Sequence, residues 1–71
     1  MKRFGEKLAK LRQGQGLTLR QLGEELEVHN TFISQIEKGR KMPNAVMILK
    51  IANLFGVTAD QLMRDDLELD E

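Results

Sequence analysis

The chain has 71 residues, 41% hydrophobic, 31% charged and 4% aromatic, with a formal net charge of zero and no cysteine. That length holds one domain, its hydrophobic content excludes a disordered chain, and the missing thiols exclude disulfides and thiolate metal sites. A core this small supplies only about 3–5 kcal/mol, so association with a second copy is the expected further support.

In chain order, the apolar spacing is helical. Phe4, Leu8 and Leu11 stand four and three apart and define one face of a first helix, which Gln13-Gly14-Gln15-Gly16 breaks. Thr18 opens a second helix, with Gln21 three residues on in the pattern of a capping box, and Leu22 and Leu26 form its buried stripe. Val28-His29-Asn30 interrupts, and His29 or Asn30 caps a third helix whose inner face is Phe32, Ile33 and Ile36. Gly39 fits a left-handed C-terminal cap. Arg40-Lys41-Met42-Pro43 reads as a basic loop, after which Asn44 caps a fourth helix reaching Phe55. That helix is apolar on most sides, as a central helix would be, and Gly56 ends it. Thr58 with Gln61 repeats the capping box and opens a short fifth helix through Leu62 and Met63. No stretch alternates with a period of two for more than a few residues, so no strand is expected. The spacing predicts an all-α domain of five helices over residues 1–64 and an acidic C-terminal tail over 65–71 that frays.

The zero net charge hides an asymmetry. Residues 1–50 hold ten Lys and Arg against five acids, a balance of +5, and residues 51–71 hold one base against six acids, a balance of −5. Such separation suits a body facing a polyanion, although a solvated surface with an acidic end would look the same.

Few residues offer catalysis. One histidine, no cysteine and no paired carboxylates at an apolar site leave little to build an enzyme from, so none is expected. His29 falls in a turn between helices, where it reads as a solvent-facing neighbour of a cap. Asp65, Asp66 and Glu68 lack the convergence a metal needs. Met47 reads as core, and Gly14-Gln15-Gly16 follows no strand, so it is no phosphate loop. No cofactor, metal or small-molecule effector is implied. No apolar run approaches the roughly 18 residues of a membrane span. The charged start after Met1 is no secretory signal, so the expected location is cytoplasmic.

The informative segment runs from Thr18 to Gly39. Asn30, Thr31, Ser34 and Gln35 lie at i, i+1, i+4 and i+5, so they share one face of the third helix while Ile33 and Ile36 point the other way. Asn and Gln amides suit the adenine edge in a DNA major groove, and Ser and Thr suit several bases. Arg20, Lys38, Arg40 and Lys41 are placed to supply electrostatic grip on phosphates.

Leu17-Thr18, Leu22-Gly23, Leu26, Val28, the run Ile33-Ser34-Gln35-Ile36-Glu37-Lys38-Gly39-Arg40-Lys41-Met42-Pro43, and Leu54-Phe55-Gly56-Val57 together resemble the lambda-repressor-like, Cro-type helix-turn-helix domain of the xenobiotic-response-element regulators. The resemblance covers about residues 4–63, with the motif itself at about 18–38. It implies a sequence-specific regulator of transcription that binds duplex DNA, a repressor or controller acting as a homodimer on a two-fold symmetric operator. A bacterial nucleoid or a phage would be its setting. By the same resemblance Asn30, Thr31, Ser34 and Gln35 read base edges, and Arg20, Lys38, Arg40, Lys41 and Asn44 hold phosphates. Arg12 and Glu37 form a structural ion pair between the first and third helices.

Three positions depart from the family pattern. Leu19 stands where a phosphate-contacting Gln is usual, Gly23 where Ala is usual, and Glu27 where the turn usually has Gly. Ala and Gly are both small enough for close helix approach. A left-handed Glu is strained and brings negative charge toward the DNA side. Leu19 and Glu27 favour a rival reading, in which the acidic C-terminal end binds a protein partner, as in an antitoxin. Leu62, Met63, Leu67 and Leu69 are too many apolar residues for so short a segment to bury. Leu62 or Met63 is therefore the expected two-fold dimer contact.

Overall fold

The structure, a computed structural model, describes residues 2–69. They form five helices: α1 (Phe4–Gly14), α2 (Leu19–Leu26), α3 (Asn30–Glu37), α4 (Ala45–Phe55) and α5 (Ala59–Met63). The start signals lie where the side chains demand them. Thr18 and Thr58 each accept the N–H of a Gln three residues on, and each Gln returns a bond to the Thr N–H. Asn44 accepts from Met47 N at 2.8 Å. These side chains occupy donors that would otherwise have no partner at a helix start. Gly56 closes α4 at φ 67°, and Gly39 reverses the chain after α3 at φ 76°.

Phe4, Leu8, Leu22, Leu26, Ile33, Ile36, Ile51 and Leu62 make a continuous core in which α3 packs on α2 and α1. Helix α4 adds Met47, Ile48 and Ala52 from one side only. It is not the central helix that its composition suggests. Val46 and Leu49 remain 64% and 57% exposed, because α4 packs against α2 and α5 and nothing among the described residues lies beyond it.

Helix α1 has no side-chain cap of its own at Arg3. The two N–H groups just before its first residue are met from the other end of the chain: the Asp65 carboxylate accepts Lys2 N and Arg3 N, each at 2.9 Å. The reverse holds at the end of α5. Lys7 is 1% exposed, and its Nζ donates to the carbonyls of Gln61, Arg64 and Leu67 at 2.5, 2.7 and 2.6 Å. A carboxylate therefore sits at an N-terminus and an ammonium at a C-terminus, the pairing the helix dipole favours. Arg3 adds a two-pronged bond to Glu68 at 3.0 Å on each prong. Residues 65–69 are thus fastened to α1, and Leu69 packs against the core, so over these residues the expectation of a frayed tail is corrected. Asp70 and Glu71 lie outside the described residues. Hydrogen bonds from Arg3 and Lys2 N–H hold the Asp65 carboxyl below the usual carboxylate range, and the Arg3 guanidinium does the same for Glu68.

A depressed folded-state pKa gives a stabilising contribution that is complete above the ordinary carboxylate value of about 4 and is lost as pH falls through the lower folded value. Acidification from about pH 5 to about pH 2 is expected to free residues 65–69. NMR signals of the Lys2 and Arg3 amides report it, and signals that stay unmoved over that range would contradict the clasp.

Candidate nucleic-acid interface

The segment from α2 to the loop after α3 is built on a rigid back. Ile33 and Ile36 are buried, and Phe32 packs against the core edge. At about 100° per residue these side chains occupy one half of α3, and Asn30, Thr31, Ser34 and Gln35 occupy the other. Thr31 is exposed and the other three are half-buried. The turn before α3 is held by Glu27 at φ 62°, ψ 40°, with Val28 N bonding to Gly23 O at 2.9 Å. Glu27 is the one non-glycine residue with positive φ among the described residues. Its carboxylate is engaged by Lys50 Nζ of α4 at 3.4 Å. Gly23 is required where it stands. A Cβ there would come 2.7 Å from Val28 O, so an Ala is not accommodated without a shift, contrary to expectation.

His29 caps α3, its Nδ1 accepting Thr31 N at 3.1 Å. At the far end the basic loop hangs directly on the helix: Arg40 N and Lys41 N both donate to Gln35 O, at 2.8 and 3.3 Å, and Gly39 N to Ile36 O at 3.0 Å. Lys38, Arg40 and Lys41 are exposed, and no carboxylate among the described residues engages them. Arg20 projects from the first turn of α2, only loosely associated with Glu24 at 3.7 Å. Asn44 spends its side-chain carbonyl on capping α4, which leaves only its amide N–H groups for a phosphate.

Arg12 and Glu37 fix α3 to α1. Arg12 Nε donates to Glu37 Oε2 at 2.7 Å and Nη2 to Oε1 at 3.1 Å, while Nη1 takes Leu17 O at 3.0 Å. The two side chains are 14% and 11% exposed. Removing one member of a pair this enclosed leaves an uncompensated charge, so Arg12→Ala is expected to cost about 3 kcal/mol. Thermal melting tests this, and an unchanged Tm would mean that the pair contributes nothing.

Leu19 packs against the core, so it is no surface residue waiting for a partner. Leu62 is 0% exposed, so the expectation that it offers an outward contact is corrected; Met63 beside it is exposed. Asp65, Asp66 and Glu68 each bond to a cation or a backbone N–H, and no group of three potential ligands converges among the described residues. Sequence reasoning missed Gly5 and Lys7. A Cβ on Gly5 would overlap Ile36 O and come 2.6 Å from Glu37 O, so this glycine lets α1 touch the end of α3. No helix of the described residues is long and apolar enough to cross a membrane.

The sequence profile of the helix-turn-helix domain family matches residues 5–67. The transcriptional activator BcrR of Enterococcus faecalis is 45% identical over 60 residues, which are 84% of this chain and only 29% of that protein. Control protein C.MunI of Mycoplasma sp is 33% identical over 64 residues, covering 89% of this chain and 86% of that one. Among solved structures, the P22 c2 repressor in complex with synthetic operator 9T superposes with a TM-score of 0.82 at 27% identity, over 89% of this chain and 96% of that one. The chain belongs to the helix-turn-helix domain family, in its lambda-repressor-like form.

Proposed function

We propose that this chain regulates transcription by binding duplex DNA, with α3 in the major groove and two copies seated on a two-fold symmetric operator. The observation that carries the reading is the front of α3. Four amide and hydroxyl side chains stand opposite the buried Ile33 and Ile36, and the exposed bases Lys38, Arg40 and Lys41 hang from the helix end. In this arrangement Asn30, Thr31, Ser34 and Gln35 read base edges. Arg20, Lys38, Arg40, Lys41 and the amide of Asn44 hold the backbone and fix the register. Met63 faces the second copy. The activator, control protein and repressor named above support a regulator without choosing its sign. Leu19, partly buried against the core, and Glu27, beside Lys50, have neighbours within the chain, which supports the DNA-binding reading over a protein-binding module.

Selection of bound duplexes from a random pool tests the reading. Enrichment of two inverted half-sites about 10 base pairs apart, one helical turn, is the expected result. A pool that stays random would refute it.

A further inference from the structure

His29 caps α3 through one ring nitrogen and leaves the other free of that role. Its Nδ1 accepts the Thr31 N–H, and an acceptor needs a lone pair, so that nitrogen is unprotonated. A neutral ring then carries its proton on Nε2. The two ring nitrogens point in roughly opposed directions, so the bond at Nδ1 aims Nε2–H away from the first turn of α3. The side chain is exposed, and Nε2–H meets no acceptor among the described residues. The cap has converted an ambivalent side chain into a fixed donor at the tip of the helix. Asn30, Thr31, Ser34 and Gln35 differ from it, because each offers both a donor and an acceptor and can turn to suit more than one base.

We propose that His29 is a specificity-determining residue, donating from Nε2–H to an acceptor on the major-groove edge of one base pair in each half-site. Purine N7, guanine O6 and thymine O4 fit such a donor, whereas the amino groups of cytosine and adenine do not. The inference rests on the reading of α3 as the groove helix, whose N-terminal residues are those that reach base edges.

His29→Asn separates the two roles. Asparagine is among the preferred caps, so α3 keeps its start, while the ring N–H is gone. Wild type and His29→Asn are titrated at pH 8 against the selected operator, against operators changed one base pair at a time, and against a scrambled duplex. The expected result is an unchanged Tm and a preference at one base pair per half-site that drops about fivefold, the low end for a specific base contact. Binding to the scrambled duplex stays as it was. An unchanged preference profile overturns the proposal. Equal weakening on operator and scrambled duplex also overturns it, since Nε2–H would then sit on a phosphate. If His29→Asn melts lower than wild type, His29→Ser, another preferred cap, carries the same titrations. A wild-type protein that prefers no duplex refutes the groove reading and His29 with it. A wild type that discriminates beside an indifferent His29→Asn refutes His29 alone.

Discussion

Gly5→Ala is expected to remove most of the protein's stability. The new methyl would meet the carbonyls of Ile36 and Glu37, which are backbone atoms at the end of α3 and cannot swing aside as a side chain can. Either α1 backs away from α3, or the end of α3 distorts and loses the Gly39 N–H bond to Ile36 O that hangs the basic loop. Overpacking typically costs about 1–3 kcal/mol, and more where no rotamer change relieves it. A gain in helix propensity of about 1 kcal/mol offsets part of that. A net loss of about 3 kcal/mol would remove most of the roughly 3–5 kcal/mol that a core of this size supplies. Gly14→Ala is the control. It adds the same methyl at the end of the same helix, where nothing lies within 4 Å, and it should stabilise by up to about 1 kcal/mol. Urea unfolding of the two variants should therefore move in opposite directions. Matching midpoints would show that α1 and α3 do not touch at Gly5.

The second large effect is expected at Lys7. Its ammonium is enclosed and satisfies three carbonyls that end α5 and begin the 65–69 segment. Lys7→Ala removes the charge, the bonds and the stem together, and is expected to cost about 3–5 kcal/mol, from carbonyls left without a donor and the cavity left by the stem. Lys7→Met keeps the apolar stem and gives up the charge and the bonds, so it should cost less, about 2 kcal/mol. Both variants should also free residues 65–69, which rising amide exchange at Leu67 reports. A Lys7→Met variant as stable as wild type would mean that the three carbonyls are satisfied equally well by water.

These two residues mark the edge of what the chain discloses by inspection. Capping boxes, the Asn44 cap and the glycines after α3 and α4 were legible, because each depends on neighbours within a few positions. So was the polar front of α3, which follows from helical periodicity once Ile33 and Ile36 face inward. Lys7, Asp65 and Glu68 looked like solvated charge, since their partners lie more than 50 positions away and only the closed fold brings them together. Gly5 was silent for the same reason. Helix α4 misled through its composition: hydrophobicity on all sides suggests burial, but a domain of five short helices has no layer left to cover Val46 and Leu49. Leu62 was read as surplus because how closely α5 seats against α1 and α4 is a property of the assembled helices.

If α3 reads bases while the flanking cations hold phosphates, substitutions of one residue of each kind should fail differently on DNA. Gln35 has the longest reach on the front of α3, and its amide can make two bonds to one base. Gln35→Ala is expected to weaken the selected operator by about 1–3 kcal/mol and a scrambled duplex by far less. Lys41 carries a charge that meets every sequence alike. Lys41→Ala should weaken both duplexes together and lower the salt slope of binding by about one unit per subunit. Titrations of both variants against both duplexes at several salt concentrations separate the two patterns. If Gln35→Ala weakens both duplexes equally, or leaves both unchanged, α3 does not read bases through Gln35.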